Sequence, residues 1–313
     1  MTVPGSLPTN EVITAPRPVG GGTPEREFTI KERRQWQIVL SRFMRHRLAV
    51  GSLIVFILLE LLAFVGPLIW KYDYTDLTSP SNVRFSPDNP MGTDTLGHDL
   101  FAQVMRGMQQ SMKVALLTTL LATGIGAPYG AIAGYFGGRI DTLMMRICDV
   151  LLTLPLFLIA GAIVAGRGGS VLTVGVVLGL LGWVVDARVV RSVVLSLREM
   201  EFVEAAKALG AGPVRVVFRH LLPNATGAII VQATLNIATA ILAEAALSFV
   251  GLGVQPPDTS LGLLVNQARS AVETRPWLFY WPGVMIIAIA LTISFIGDGL
   301  RDAFDPRQTR QRR

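Results

Sequence analysis

Long apolar runs are the feature that most constrains this chain of 313 residues. A helix needs roughly 20 apolar residues to cross the hydrocarbon core of a bilayer, and only helices and closed barrels satisfy their backbone there. The alternating pattern of about ten residues that is typical of membrane strands does not occur. The sequence therefore predicts an all-α polytopic membrane protein. The six predicted spans are 48–70, 114–136, 150–166, 171–185, 225–249 and 277–296.

Composition agrees with a membrane protein, and the charges give it an orientation. Hydrophobic residues make up 51% of the chain, charged residues make up 16%, and the net charge is +6. With six spans, 19 basic residues lie on one side of the membrane and seven on the other. The positive-inside rule then predicts that both termini are cytoplasmic. Because the basic residues are spread over four segments rather than gathered on one surface, nucleic-acid binding is not expected.

Three segments outside the spans differ in character. Residues 1–35 begin with a stretch rich in Pro, Gly and Thr, which predicts a disordered cytoplasmic tail, and residues 308–313 form a basic C-terminal tail. The largest outer segment, 71–113, contains Asp94, His98 and Asp99. These three could be considered as metal ligands, but the preferred interpretation is that Asp99 or Asp94 caps the following helix, and no metal site is assigned.

The segment between the fourth and fifth spans contains two short amphipathic patterns. Phe202, Ala205, Ala206 and Leu209 form the first helical stripe, and a second stripe runs from Val214 to Leu221. Gly210 suits a left-handed helix end, and Pro213 suits the first position of a new helix. We expect two short helices at an angle on the membrane face, which either bind another protein or simply connect two spans.

The fifth span is unusually polar for a membrane helix. Gln232, Asn236 and Thr239 lie at positions i, i+4 and i+7, and Glu244 lies near the outer end. Polar groups in a bilayer face a partner helix or a water-filled path, so both roles stay open. In the second span, Gly126, Gly130 and Gly134 recur every four residues, a spacing that predicts close helix packing.

Catalytic motifs are absent from the sequence. None of the four lysines follows a glycine, so no P-loop is present, and neither G-x-S-x-G nor H-E-x-x-H occurs. An ion-driven secondary transporter is the alternative from another class, although it would use several buried ionisable residues and internal repeats. A membrane-embedded enzyme is a weaker third alternative.

Four sequence blocks resemble the membrane permeases of binding-protein-dependent ABC importers. The first block matches their EAA loop: Glu204-Ala205-Ala206, Gly210 and Leu222-Pro223 fall in its register, and His220 stands at its aliphatic position. Residues 91–99, 244–253 and 297–306 are similar to blocks of the oligopeptide, dipeptide and nickel branch. The resemblance covers about 36 to 307 and points to the C-type subunit. The branch usually has an arginine where this chain has His98.

The resemblance implies a six-helix type I permease in the bacterial cytoplasmic membrane, paired with a homologous subunit. Two ATPase subunits, which would bind ATP and Mg²⁺, would contact a cytoplasmic EAA loop at 187–223, and a solute-binding protein would dock outside. This chain itself would bind no cofactor. Peptides are the leading substrate, with nickel or another small solute as the alternative. The expected coupling residues are Glu201, Glu204, Ala205, Ala206, Gly210, His220 and Pro223. The pathway candidates are Gln232, Asn236, Thr239 and Glu244.

Overall fold

The computed structural model describes residues 35–77 and 80–305, and these are almost entirely helical. The predicted tails at 1–35 and 308–313 therefore lie outside the described residues, except for Gln35, which begins the first helix. The helices in chain order are α1 (Gln35–Phe43), α2 (Arg47–Ile69), α3 (Leu100–Phe136), α4 (Gly138–Thr153), α5 (Leu156–Arg167), α6 (Val171–Leu197), α7 (Glu201–Ala208), α8 (Pro213–Arg215), α9 (Leu222–Phe249), α10 (Leu261–Ala268) and α11 (Trp277–Phe304).

Five helical stretches of the described chain are long and apolar enough to cross a membrane: α2, α3, α6, α11 and the stretch Pro213–Phe249. The pair α4 and α5, bent by 73° at its break, makes a sixth if it is counted as one span. The all-α, membrane-spanning prediction is confirmed. Two helices extend well past the predicted apolar spans, because α3 starts at Leu100 and α6 continues to Leu197.

The third span is the one that departs most from a simple helix. Leu154 is extended (φ −76°, ψ 143°) because the following Pro155 disfavours the helical conformation of the residue before it. The 12 residues of α5 reach only about 18 Å at 1.5 Å per residue, too little to cross a bilayer alone. Ion pairs from α6 hold α4 in place: Arg191 binds Asp141, and Arg188 binds Asp149. The predicted tight hairpin after α5 is confirmed, with Gly168 at φ +84° and Ser170 capping α6.

The most extensive contact in the molecule joins α3 to α6. A Cβ atom on Gly126, Gly130 or Gly134 would lie 3.0 Å or less from a backbone oxygen of α6. The two backbones therefore touch, as the four-residue glycine spacing predicts. In return, Gly175 and Gly179 of α6 lie against Leu117 and Leu121 of α3, since a Cβ atom on either glycine would lie 2.8 Å from the leucine side chain.

The outer segment between α2 and α3 is organised by Asp99, which is fully buried. Its carboxylate accepts the Ala102 N–H at 3.0 Å, which confirms the predicted cap, and also accepts Trp70 Nε1 and Asn89 Nδ2 at 2.8 Å each. Asp94 makes a separate tight loop, in which Oδ1 accepts three backbone N–H groups and Oδ2 lies 2.7 Å from His98 Nδ1. Both carboxylates thus accept hydrogen bonds from backbone and side-chain groups of this part of the chain.

Candidate functional site

The α7 segment, residues 198–224, leaves and re-enters the helix bundle at one membrane face. Its first half is α7, an eight-residue helix with Glu201 and Glu204 in its first turn and Lys207 in its last. Acidic residues at the start of a helix and a basic residue at its end complement the helix dipole. Glu201, Glu204 and Ala205 are exposed, whereas Val203 and Ala206 are buried.

The turn after α7 has the geometry that the sequence predicts. Gly210 has φ +82°, the Ala211 N–H donates to the Ala206 carbonyl at 3.0 Å, and the Gly210 N–H donates to the Lys207 carbonyl at 2.9 Å. This is the pattern of a Schellman motif, which needs a residue in the left-handed conformation. A side chain at 210 would meet no atom within 4 Å, so only the backbone conformation requires glycine there.

The second half of the α7 segment differs from the prediction of a separate short helix. Pro213 does begin a helix, but that helix continues into α9 through one wide π-helical stretch at Val216–Leu221. The Leu222 N–H donates to the Val217 carbonyl, five residues back. Pro223 has no N–H and its ring would clash with the Arg219 carbonyl in a regular helix, which accounts for the wider turn. The His220 carbonyl accepts Asn224 Nδ2 at 2.7 Å.

The predicted amphipathic stripes are divided between buried and exposed positions. Leu209 is 90% exposed and Val214 is 73% exposed, whereas Ala206, Val217 and Leu221 are buried. Val203 at the centre of α7 and Val216 beyond the turn, which lie off the stripes, are buried as well. The helical pattern does not by itself indicate which apolar side chains of the segment pack on the bundle. The exposed apolar side chains, called here the α7 rim, are Met200, Phe202, Leu209, Val214 and Phe218.

Below the α7 rim, the buried side chains join the segment to the close-packed pair α3 and α6. Val203 belongs to one cluster with Val190 and Val194 of α6, Ala131 of α3 and Leu221 of the π-helical stretch. The Lys207 ammonium lies 5.5 Å from the Tyr135 ring centroid at the end of α3. Within the predicted coupling segment 187–223, residues 187–197 belong to the end of α6, and α7 and the turn after it follow.

The polar face of α9 contacts the carboxylate of Asp186 in α6, a residue that is not among the sequence candidates. Asn236 Nδ2 donates to both oxygens of Asp186 in α6, at 2.7 and 2.8 Å, and Thr123 of α3 donates to the same group at 2.8 Å. Gln232 donates to Asn236 at 3.0 Å. Thr239 is exposed and bonds only its own helix. Neutral donors from two helices thus surround Asp186, which is 1% exposed.

Glu244 is brought to a different place from the other pathway candidates. It is completely buried and accepts Ser111 Oγ and Ser248 Oγ at 2.7 Å each. Ser111 Oγ in turn accepts the Leu261 N–H at the start of α10, at 3.3 Å. Within the described chain, Glu244 therefore joins α3, α9 and α10 and does not face open space. Ser111 lies 133 residues before Glu244 in the sequence, so no sequence spacing indicates this network.

Two family models match the chain. Residues 126–310 match the model described as "Binding-protein-dependent transport system inner membrane component". Residues 34–87 match "N-terminal TM domain of oligopeptide transport permease C". The first match includes the whole α7 segment and the polar face of α9, and the second includes α1 and α2.

Curated relatives cover nearly the whole chain. It is 40% identical over 282 residues to "Oligopeptide transport system permease protein OppC" of Mycobacterium tuberculosis, covering 88% of this chain and 96% of the relative. It is 39% identical over 286 residues to "Dipeptide transport system permease protein DppC" of Alkalihalophilus pseudofirmus, covering 91% of this chain and 93% of the relative.

Solved structures confirm the fold. A chain of the MetNI methionine ABC transporter in an inward-facing conformation superposes with a TM-score of 0.53 at 19% identity, over 65% of this chain and 97% of that one. Together with the matched family model and the relatives, this excludes the secondary-transporter alternative. The chain belongs to the binding-protein-dependent transport system inner membrane components, the multi-pass permease subunits of ABC importers.

Proposed function

We propose that this chain is the C-type permease subunit of a peptide importer and forms the pathway together with a homologous permease subunit. The observation that carries the proposal is the similarity, over nearly the whole chain, to permeases named for oligopeptides and dipeptides. The match of 34–87 to the N-terminal domain of oligopeptide permease C supports the C-type assignment. Nickel and other small solutes remain comparison substrates for the experiment below.

In this proposal, the α7 segment is the contact for one of two ATPase subunits, which bind ATP and Mg²⁺. The α7 rim supports this role because exposed apolar side chains such as Leu209 and Phe218, flanked by Glu201 and Glu204, make a compact apolar surface with a polar edge. Surfaces of that kind mark protein interaction sites. Gly210 supplies the turn that presents the rim, and Pro223 and His220 lie at the wide turn that returns the chain to the membrane.

When the two ATPase subunits close, their movement would be transmitted to the membrane spans through the buried side of the α7 segment. Val203 packs on Val190 and Val194, and α6 is locked to α3 by direct backbone contact at Gly130. A displacement of α7 would therefore move α3 and α6 as one unit, because closely packed interfaces shift between discrete arrangements rather than deform.

For the pathway we propose the half-buried amides Gln232 and Asn236 and the exposed Thr239, all on α9. Glu244 is proposed instead as a support for the outer helix α10. The termini and the α7 segment would lie in the cytoplasm, as the excess of basic residues on that side indicates. The outer segment 71–113 would face the solute-binding protein.

The test is ATP hydrolysis by the assembled importer, purified with its partner permease and ATPases and stimulated by peptide-loaded binding protein. Gly210→Val forces a β-branched residue to φ +82° and should abolish stimulation while the complex still assembles. Gly212→Ala is the matched control, because Gly212 has φ −69° and a Cβ there meets nothing within 4 Å. Stimulation by nickel rather than by peptides would overturn the substrate assignment, and normal stimulation in Gly210→Val would overturn the coupling role.

A further inference from the structure

The helix α4 carries a row of exposed apolar side chains on the side that faces away from the bundle. Four of them recur at positions i, i+3, i+7 and i+10: Ile140, Leu143, Ile147 and Val150. The opposite side of α4 packs on α6, since the buried Cys148 contacts Val184 and Ala187. In a membrane protein, an open apolar helix face of this kind contacts either lipid or another subunit.

Two ion pairs fix the level at which α4 lies in the membrane. Asp141 binds Arg191 of α6, and Asp149 binds Arg188. These arginines come six and three residues after Val185, where the uninterrupted apolar run of α6 ends. At 1.5 Å per residue they lie about 9 and about 4.5 Å past that run. The ion pairs therefore hold α4 at the edge of the apolar core, where lipid headgroups begin.

The direction of α4 also fits the membrane surface. Between the two ion pairs the chain covers about 12 Å along α4 but only about 4.5 Å along α6, so the two helices cross obliquely. At its end α4 is bent by 73° from α5. The rings of Tyr129 and Trp183, with centroids 4.7 Å apart, pack against α4. Tyr and Trp are enriched at the level of the lipid headgroups, and amphipathic helices lie in that plane.

Arg139 and Arg146 lie at one edge of the exposed apolar row, each directly before an isoleucine of the row. Both arginines are exposed, and neither forms a hydrogen bond or an ion pair within 35–77 and 80–305. The two aspartates of α4 are already bound by arginines of α6. Four arginines against two aspartates leave this surface with a charge of +2, which favours an anionic ligand over a neutral one.

We propose that α4 binds anionic phospholipids of the leaflet on the side of the α7 segment. Lipid phosphates bind Arg139 and Arg146, and the acyl chains lie along Leu143 and Val150. The two arginines are seven residues apart, about 10.5 Å along the helix, so each binds its own phosphate. A protein partner would need an acidic group opposite each arginine in addition to an apolar face. An anionic lipid brings both in one molecule and is present at this level of the membrane.

The bound lipid has a consequence for coupling, and this part of the inference rests on the proposed function. From the arginines that bind α4, α6 continues to Leu197, and the α7 segment begins at the next residue. Lipid bound to α4 therefore anchors the end of α6 that connects to the ATPase contact. With this end anchored, a displacement of α7 moves the spans instead of tilting α6 alone, and anionic lipid raises the efficiency of coupling.

The experiment uses the assembled importer in phosphatidylcholine nanodiscs with a small amount of phosphatidylglycerol that carries a photoreactive acyl chain. Mass spectrometry locates the crosslinked residues, and photoreactive phosphatidylcholine reports the labelling by a neutral lipid. An arginine near an anionic membrane surface contributes about fivefold in affinity, so phosphatidylglycerol should label 140–150 at least about fivefold more than phosphatidylcholine does. Arg139→Gln together with Arg146→Gln should abolish this preference.

The matched control is Arg45→Gln together with Arg47→Gln, which removes the same charge from exposed positions before and at the start of α2 and should leave the labelling of α4 unchanged. Excess soluble glycerol phosphate should not reduce the labelling, and a reduction would make this a site for soluble anions. Equal labelling by the two lipids, or an unchanged preference in the double glutamine variant, would overturn the inference. Loss of a partner subunit from that variant would also overturn it, because the arginines would then be protein contacts.

ATP hydrolysis stimulated by peptide-loaded binding protein is measured in parallel. The ratio of stimulated to basal hydrolysis should rise severalfold when phosphatidylglycerol is added to the nanodiscs, and the double glutamine variant should lose this rise. A ratio that does not depend on the lipid in the unaltered importer would overturn the consequence for coupling. Absence of stimulation in every membrane would overturn the proposed function, while the labelling experiment would still decide the lipid site.

Discussion

The α3–α6 interface and the α7 segment are neighbours that use apolar residues in opposite ways. At the interface, glycines remove side chains so that two backbones touch, and a Cβ at Gly130 would collide with the Ala187 carbonyl. In the α7 segment, large apolar side chains such as Leu209, which follows the eight-residue helix α7, are exposed to solvent. In the proposed function, the interface would transmit motion and the α7 rim would receive it from an ATPase subunit, and each can be altered without altering the other.

The largest expected effect comes from breaking the interface. Gly130→Leu should destabilise the bundle by more than about 3 kcal/mol, because neither the side chain nor the α6 backbone can move aside. The measurement is the yield of monodisperse complex and its thermal unfolding midpoint. Gly124→Leu on the same helix is the control, since a Cβ at Gly124 meets nothing within 4 Å. Equal yields of the two variants would contradict the close-packing account.

The next largest effect is expected from a substitution that disrupts the α7 rim without disturbing the packing of the bundle. Leu209→Asp places a charge at the most exposed apolar position of the α7 rim and should reduce copurification of ATPase subunits at least about tenfold. Thermal stability of the permease pair should stay unchanged, because Leu209 is 90% exposed. Leu209→Met keeps the apolar surface and should retain the ATPase. Full retention by the aspartate variant would remove the α7 rim from the interface.

A smaller effect tests the connection between the two regions. Val203→Ala removes two buried methyl groups beneath α7 and should cost about 2 kcal/mol of local packing. ATPase subunits should still bind, but the stimulation of hydrolysis by loaded binding protein should fall severalfold. The ratio of stimulated to basal hydrolysis is the readout. Ala208→Ser, on the exposed side of the same helix, should leave this ratio intact.

The smallest effect concerns the polar contact between α6 and α9. Asn236→Leu removes both hydrogen bonds to Asp186 but leaves the one from Thr123. Hydrogen bonds between membrane helices contribute only about 0.6 kcal/mol on average, so the melting midpoint should move by a few degrees at most. A large loss of peptide uptake without loss of stability would place Asn236 in the pathway. Unchanged uptake would leave it as a helix contact alone.

Local chemistry was predictable wherever one residue dictates one backbone conformation. Gly210 ends α7 with a positive φ, Pro213 starts the next helix, and Asp99 caps α3, all as expected from the sequence. The glycine repeat of α3 likewise predicted close packing, although not its partner helix. Where a residue type is compatible with several surroundings, the sequence gives no answer, as for the exposure of Leu209 and the burial of Val203.

Sequence alone determined that the chain is a helical membrane protein and, through four short blocks, which family it belongs to. Run length and motif register are properties of the chain, so they need no knowledge of what packs against what. Only the tertiary structure decided which apolar face of α7 is buried, that Glu244 is enclosed by serines from α3 and α9, and that Asp186 pairs with Asn236. These depend on helices far apart in sequence meeting at particular rotations, because burial and hydrogen bonding are set by the neighbours that a residue acquires.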